Sequence, residues 1–445
     1  MMRQGLIGIV FTAAIALPLA AQSATPAAKP KAHTPAAAPK APPAPGPRGW
    51  VAGTTVFDDI TVETGTLAGA NFRIDFPKDW KKCLVISNHG YSPEPRDPAK
   101  GAPAERTKMF AKRGCAVAAS SYSKGGWAIE NAMTDNENLR KYFVRKHGAT
   151  REVFSTGGAM GAAVTMTSLE LYPNVYAGGL ITCCGTMTAQ MDQSMQGSFR
   201  MMALFDYYFP GVLPPPVGPL NGFMYGGDTD RKVQAALDAN PQKAEIFRRT
   251  TGRRMEHLAN HVTFQTYINH EYQERAGGLP FDNSTYIYTL DDDPATVNAG
   301  VKRYTADPKA MKYARKWYTP TGDLKKPLFI MSPVYDPVVT INNTAGYVDV
   351  VRRAGHMDKV VFQWYDHEGH GAVSPAEVES AFDALLAWSR GGPQPPSGHG
   401  VNRGTATGAM GIGAPGPAGA AGRGGAGRGP AAPGRGGAAP AAAAN

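Results

Sequence analysis

Arg151-Glu152-Val153-Phe154-Ser155-Thr156-Gly157-Gly158-Ala159-Met160-Gly161-Ala162-Ala163-Val164-Thr165-Met166 is the stretch on which the fold of this chain turns. The first six residues hold a short apolar run of strand type, and the last five are small and apolar in a helical pattern. Between them lie three glycines in five positions. Strand, sharp glycine turn and helix together form the G-x-S-x-G elbow, whose third residue is ordinarily a nucleophilic serine. Here that residue is Ala159, which carries no oxygen.

Working outward, strands and helices alternate on both sides of this turn. Short buried strands are expected over Lys82 to Ser87, Cys115 to Ser120, Glu152 to Thr156, Gly178 to Cys183, Pro327 to Ser332 and Lys359 to Tyr365, behind an opening strand pair at Thr54 to Glu63 and Ala70 to Phe76. Helices follow most of them, at Pro103 to Arg113, Asp135 to His147, Met160 to Leu171, Thr344 to Ala354 and Pro375 to Ser389. Such alternation predicts a mostly parallel sheet with helices on both faces. From Gly185 to Asp323 it stops, and helical spacing alone continues over Met187 to Phe209, Lys232 to Thr250, Arg254 to Gln273 and Pro308 to Tyr318.

Open parallel sheets place their chemistry just past the carboxyl ends of the strands. After the first parallel strand comes Asn88-His89-Gly90-Tyr91, a turn able to aim the Tyr91 N–H at a developing oxyanion. The Met160 N–H, at the start of the helix after the elbow, is the second candidate donor. After the strand ending at Ser332 comes Asp336, and after the last strand comes Asp366-His367-Glu368-Gly369-His370-Gly371. His370, between two glycines, is the better general base, with His367 a loop residue. Asp336 is placed to accept a hydrogen bond from His370 Nδ1.

The chain order of elbow, aspartate and histidine resembles the α/β-hydrolase superfamily, on Asn88-His89-Gly90-Tyr91, Gly157-Gly158-Ala159-Met160-Gly161, Asp336 and Gly369-His370-Gly371. The resemblance implies an eight-stranded sheet with a large helical lid, residues 186–323, between its sixth and seventh strands. It also implies a Ser-His-Asp site for carboxylic esters, amides or related carbonyl compounds. His370 would be the base, Asp336 its orienter, and Tyr91 and Met160 the oxyanion hole. Gly90 and Trp127 are expected to line the substrate. The departure is Ala159. Among substitutes, Ser155 and Thr156 should point along the strand, whereas Ser120, Ser121 and Ser123 end its neighbour. Cys183 and Cys184 end the next strand, where a thiolate would need His370 within reach. Nothing in the sequence supplies that proximity, so the site is expected to be inactive or nearly so as written.

The ends of the 445-residue chain have a different composition. Met1-Met2-Arg3, an apolar run from Leu6 to Leu19 and small residues to Ala24 make a secretory signal peptide, too short for a membrane span. Residues 25–48 are an Ala/Pro-rich linker, and 392–445 a Gly/Ala/Pro-rich tail expected to be disordered. The folded core is then 49–185 with 324–391. The net charge of +10 partly reflects these tails, and no nucleic-acid partner is expected. Export permits disulfides among Cys83, Cys115, Cys183 and Cys184; a Cys83–Cys115 bridge and buried thiols both fit.

Met191, Met195, Met201, Met202 and the aromatics around them suggest an adaptable apolar wall in the insertion. His257 and His261 have a zinc-type spacing without a third ligand, and Asp291-Asp292-Asp293 reads as a solvated turn. No metal or cofactor is expected. The resulting expectation is an exported carboxylic-ester hydrolase, secreted or periplasmic, for a small or polymeric ester, with no membrane span after leader removal. A ligand-binding protein without turnover and a peptidase of the same fold are the alternatives.

Overall fold

The computed structural model describes residues 50–184, 194–291, 293–406 and 408–413. The expected leader at 1–24, the linker at 25–48, residues 185–193 with Met191, Asp292, and the tail beyond 413 lie outside the described residues.

A hairpin opens the described chain, with β1 (Gly53–Phe57) antiparallel to β2 (Ile60–Leu67). The strand expected over Thr54 to Glu63 is thus folded in two. The break is at Asp58-Asp59, where Asp58 takes a left-handed φ of 49°, a conformation that aspartate tolerates in tight turns. β3 (Ala70–Pro77) pairs antiparallel with β2 and with β5 (Cys115–Ser120). β4 (Cys83–Asn88) lies between β5 and β6 (Glu152–Ala159), parallel to both. β7 (Gly178–Cys184), β8 (Leu328–Tyr335), β9 (Val360–Glu368) and the two-residue β10 (Gly398–His399) continue the sheet in parallel.

The sheet order is β1-β2-β3-β5-β4-β6-β7-β8-β9-β10. Strands β2 to β9 have the order and directions of the α/β-hydrolase sheet. Among the described residues the sheet therefore has ten strands and not the expected eight, because each edge gains one. β1 comes from the split hairpin, and β10 from a segment whose composition suggested no structure. The disordered tail expected from 392 does not hold through 413. Gly398 and His399 pair with Gln363 and Trp364, and the Ala409 carbonyl accepts the His370 N–H at 2.8 Å. Ser374 Oγ donates to the Arg403 carbonyl at 2.6 Å. Backbone groups that composition leaves unassigned are fixed by β9 and the loop after it.

Helices α1 (Glu105–Lys112), α2 (Ile129–His147) and α3 (Met160–Leu171) follow β4, β5 and β6. Between β7 and β8 the chain forms α4 (Met195–Tyr208), α5 (Gly227–Ala239), α6 (Pro241–Thr251), α7 (Leu258–Ala276), α8 (Pro294–Gly300) and α9 (Pro308–Trp317). The helix expected over Lys232 to Thr250 is two helices, since Pro241 starts a new one that the Asn240 side chain caps through the Lys243 N–H, as proline at a first helical position does. α10 (Ile341–Arg353) and α11 (Pro375–Ser389) complete the chain.

One core, beneath α1 and α11, sets Phe110 and Phe154 against Phe382 with ring centroids 4.7 and 5.5 Å apart. A second lies under α2, α3 and α10, and a third, around Phe205, Phe247 and Leu258, lies within the helical segment. Each fully buried phenylalanine contributes about 1.5–3 kcal/mol. Cys83 and Cys115, facing each other in β4 and β5, form a disulfide. By closing a loop between residues 32 apart, it contributes roughly 3–4 kcal/mol on chain-entropy grounds.

Candidate active site

The elbow is a close-packed object. A Cβ on Gly157 would lie 2.4 Å from the Gly161 carbonyl carbon, and one on Gly161 would lie 2.3 Å from the Asn88 oxygen. Helix α3 can therefore approach β4 only without side chains at these places. Ala159 itself sits at φ 50°, ψ −123°. A non-glycine residue in such a region costs of order 1–3 kcal/mol, and glycine would be the unstrained choice. The turn keeps the shape that presents a side chain at position 159.

Asn88 ties this turn to its neighbours. Its Nδ2 donates to Ser155 Oγ and Thr165 Oγ1, both at 2.9 Å, and its Oδ1 accepts from Asn136 Nδ2 at 2.7 Å. The next residues cross the elbow, so that a Cβ on Gly90 would lie 3.6 Å from the Ala159 Cβ. His89 stacks on Tyr122 with centroids 3.9 Å apart and contacts the Gly90 and Ser121 carbonyls. Burial lowers its pKa to about 4, so it is a neutral support for the turn. Tyr91 packs on Trp127 and Phe264, with centroids at 5.6 and 5.5 Å. Trp127, expected against substrate, is instead 2% exposed within the core, because α7 covers it and Glu271 accepts its backbone N–H at 2.7 Å.

At the other strand ends, His370 Nδ1 lies 3.0 and 3.1 Å from the two Asp336 oxygens. The carboxylate also accepts the N–H groups of Val338 and Val339 at 2.8 Å and of Gly371 at 3.1 Å. Its side chain is fully buried, whereas that of His370 is 19% exposed. Because Nδ1 faces Asp336, Nε2 on the far side of the ring is directed away from it. Gly369, at φ 112°, could not carry a side chain, since its Cβ would meet the Gly408 backbone at 2.5 Å. His367, expected in a loop, is a buried member of β9 bound to Glu377 Oε1 at 2.9 Å.

Two participants were not legible as such in the sequence. Arg253, from the helical segment, donates through Nε to the Pro337 carbonyl at 2.6 Å and through Nη2 to that of Val338 at 2.7 Å. It thereby clamps the loop bearing Asp336, and burial lowers its pKa to about 10. An arginine in the short turn between two helices gives no sign of this. The second is Cys183. In the pairing of β6 with β7, Gly158 faces Thr182 and Ala159 faces Cys184, so Cys183 is the extra residue of a β-bulge. Bulges re-aim side chains, and Cys183 has a left-handed φ of 42°. Its Sγ accepts the Ala159 N–H at 3.2 Å. Sulfur, one His370 nitrogen and one Asp336 oxygen lie within 4.8 Å of one another.

The hydroxyls considered as substitutes face elsewhere. Ser155 Oγ joins the Asn88 network, and Thr156 Oγ1 accepts from Arg106. Ser120 Oγ and Ser121 Oγ accept the backbone N–H groups of Tyr122 and Asn71. His257 Nδ1 contacts the Tyr335 hydroxyl at 2.6 Å, and burial holds His261 well below its ordinary pKa. Asp291, read as solvated, binds Lys243 at 2.9 Å and the Tyr208 hydroxyl. Despite burial, which raises it, its pKa falls to about 2 through these and the Asp293 N–H. A cavity of about 260 Å³ lies between the helical segment and the loop after Asp336, with Met201, Leu204 and Ile246 on its walls beside Arg249, Arg253 and Asn343.

No family model and no curated protein matches this chain. Among solved structures it is similar to oligopeptidase B from Leishmania major, with 11% identity and a TM-score of 0.41 over 74% of this chain and 37% of that one. It is also similar to an acylaminoacyl peptidase from Pyrococcus horikoshii, with 12% identity and a TM-score of 0.37 over 71% and 38%. An esterase from Pyrococcus furiosus gives 14% identity and 0.37 over 77% and 91%. The chain spans less than half the length of the first two. The fold rests on the sheet order above.

Proposed function

We propose that this chain is an exported carboxylic-ester hydrolase in design, with an acyl-transfer site at the ends of β4, β6, β8 and β9. The observation that carries this is the His370–Asp336 pair at 3.0 Å, beside an elbow that keeps its strained shape at Ala159. His370 Nε2 would move the proton, and Asp336 would orient the ring and stabilise the imidazolium. The N–H groups of Tyr91 and Met160 would meet the oxyanion, helped by the N-terminus of α3. Export is supported by the leader-like residues 1–24 and by the Cys83–Cys115 disulfide, a bond of oxidising compartments. Among the described residues no helix is long and apolar enough to cross a membrane.

Alanine at 159 favours a second reading, a protein that binds esters without turning them over. One substitution separates the two. Ala159→Ser is expected to raise hydrolysis of short p-nitrophenyl esters by about 10³-fold or more, with the gain abolished by His370→Ala. No gain, with ester binding retained, would favour the binding protein. Cleavage of amides in preference to esters would move the site to the peptidases.

A further inference from the structure

Position 159 is not the only place from which a nucleophile can reach this site. We propose that Cys183 is a nucleophile for the His370–Asp336 pair, so that the chain as written transfers acyl groups through a thioester; this rests on the ester reading above. Three strand ends converge on the sulfur. The β7 bulge turns Cys183 out of the alternation of its strand, and the backbone around His370 closes on it, since a Cβ on Gly371 would lie 3.3 Å from Sγ. The sulfur falls within 4.8 Å of both members of the pair. Left-handed φ values at two non-glycine residues joined by a hydrogen bond, 50° at Ala159 and 42° at Cys183, are strain of the kind that gathers at functional sites.

Cys183 is buried, which opposes a thiolate, but two neighbours favour one. The Ala159 N–H donates to the sulfur, and the Arg106 guanidinium, bound to Thr156 Oγ1 at 2.9 Å, interacts electrostatically with Cys183. A donor and a nearby cation both favour the anionic, nucleophilic form. The same three residues have the composition of a metal site. Their bonding argues otherwise, because His370 Nδ1 and both Asp336 oxygens are engaged with each other and with backbone N–H groups. With alanine at 159, the elbow itself offers His370 no hydroxyl.

In the reaction, His370 takes the thiol proton and the sulfur attacks the ester carbonyl carbon, forming an S–C bond and an oxyanion. Collapse breaks the bond to the alkoxy oxygen, which leaves as alcohol with the proton from His370. Water, deprotonated by His370, then attacks the thioester. The acid is released, and the sulfur is reprotonated.

The test uses the full chain with Cys184→Ser, which leaves one thiol beside the Cys83–Cys115 disulfide, and p-nitrophenyl acetate as probe. A hydroxylamine-labile acetyl group on Cys183, located by peptide mass spectrometry, is expected. Cys183→Ala should remove it and lower hydrolysis by about 100-fold or more. The Ala159→Ser/Cys183→Ala variant, retaining serine-dependent activity, shows that the loss is not misfolding. Hydrolysis unchanged by Cys183→Ala, or no acetyl on Cys183, overturns the proposal. So does stoichiometric zinc that Cys183→Ala removes. If the double variant is active while Cys183 is never acetylated, the ester reading stands and the thiol proposal alone fails. Inactivity of every serine-restored variant, with no acetyl on Cys183, defeats both.

Discussion

Two histidines three residues apart each face a buried carboxylate, yet the two pairs are built for different ends. His367 and Glu377 are closed in, with side chains 6% and 0% exposed. Glu377 accepts from His367, from the Ser374 N–H at 2.7 Å and from the Arg403 N–H at 2.9 Å. All of its capacity goes into holding β9, α11 and the following segment together. His370 is partly open, and its Asp336 partner is organised by a loop that a distant arginine clamps. A histidine–carboxylate bond alone therefore says little about chemistry. What distinguishes the second pair is an accessible far nitrogen and the elbow beside it.

The largest effect that would separate the pairs is on turnover. With serine restored at 159, His370→Ala should lower ester kcat by about 10³-fold or more while leaving the melting temperature nearly unchanged; an equal loss of stability would erase the distinction. Glu377→Ala should do the reverse. It strands a buried histidine and should cost about 3–5 kcal/mol in denaturant titration, with kcat per folded molecule unaltered. The pH dependence has a definite sign. Burial raises the Glu377 pKa, but the Arg403 and Ser374 N–H groups and His367 carry it below the ordinary 4.5. Its stabilisation is thus full above about pH 4.5 and is lost as pH falls through the lower folded-state value, so the gap between wild type and Glu377→Ala should narrow in acid. The smallest effect concerns the clamp. Arg253→Lys, in the serine-restored chain, should lower kcat by about tenfold with little change in KM, because Asp336 loses its fixed loop.

How much of this was legible beforehand follows from the physics of each part. The parallel core was readable because its strands are short, buried and separated by helices, and because glycines at 157, 158 and 161 meet a strict packing demand. Asp336 and His370 were readable because they lie just past strand ends in the expected order. Cys183 was not, since a bulge breaks the two-residue alternation by which a strand residue's direction is inferred. His367 reads as a loop residue for a related reason. β9 runs on to Glu368, and the polarity of Asp366-His367-Glu368 hides a strand whose buried histidine is satisfied by a glutamate from the next helix. The segment after 392 gives no pattern in the sequence because its anchors are backbone groups and single polar side chains, such as Gln394, Ser397 and Asn402, which form no apolar periodicity.

The central claim is that His370, and not His367, serves the elbow. It is tested most directly by the rate at which a fluorophosphonate probe labels residue 159 in the Ala159→Ser chain. Rapid labelling that falls about 10³-fold with His370→Ala, and persists in folded His367→Gln, is the predicted result. Labelling that survives His370→Ala, or depends equally on both histidines, would contradict the account.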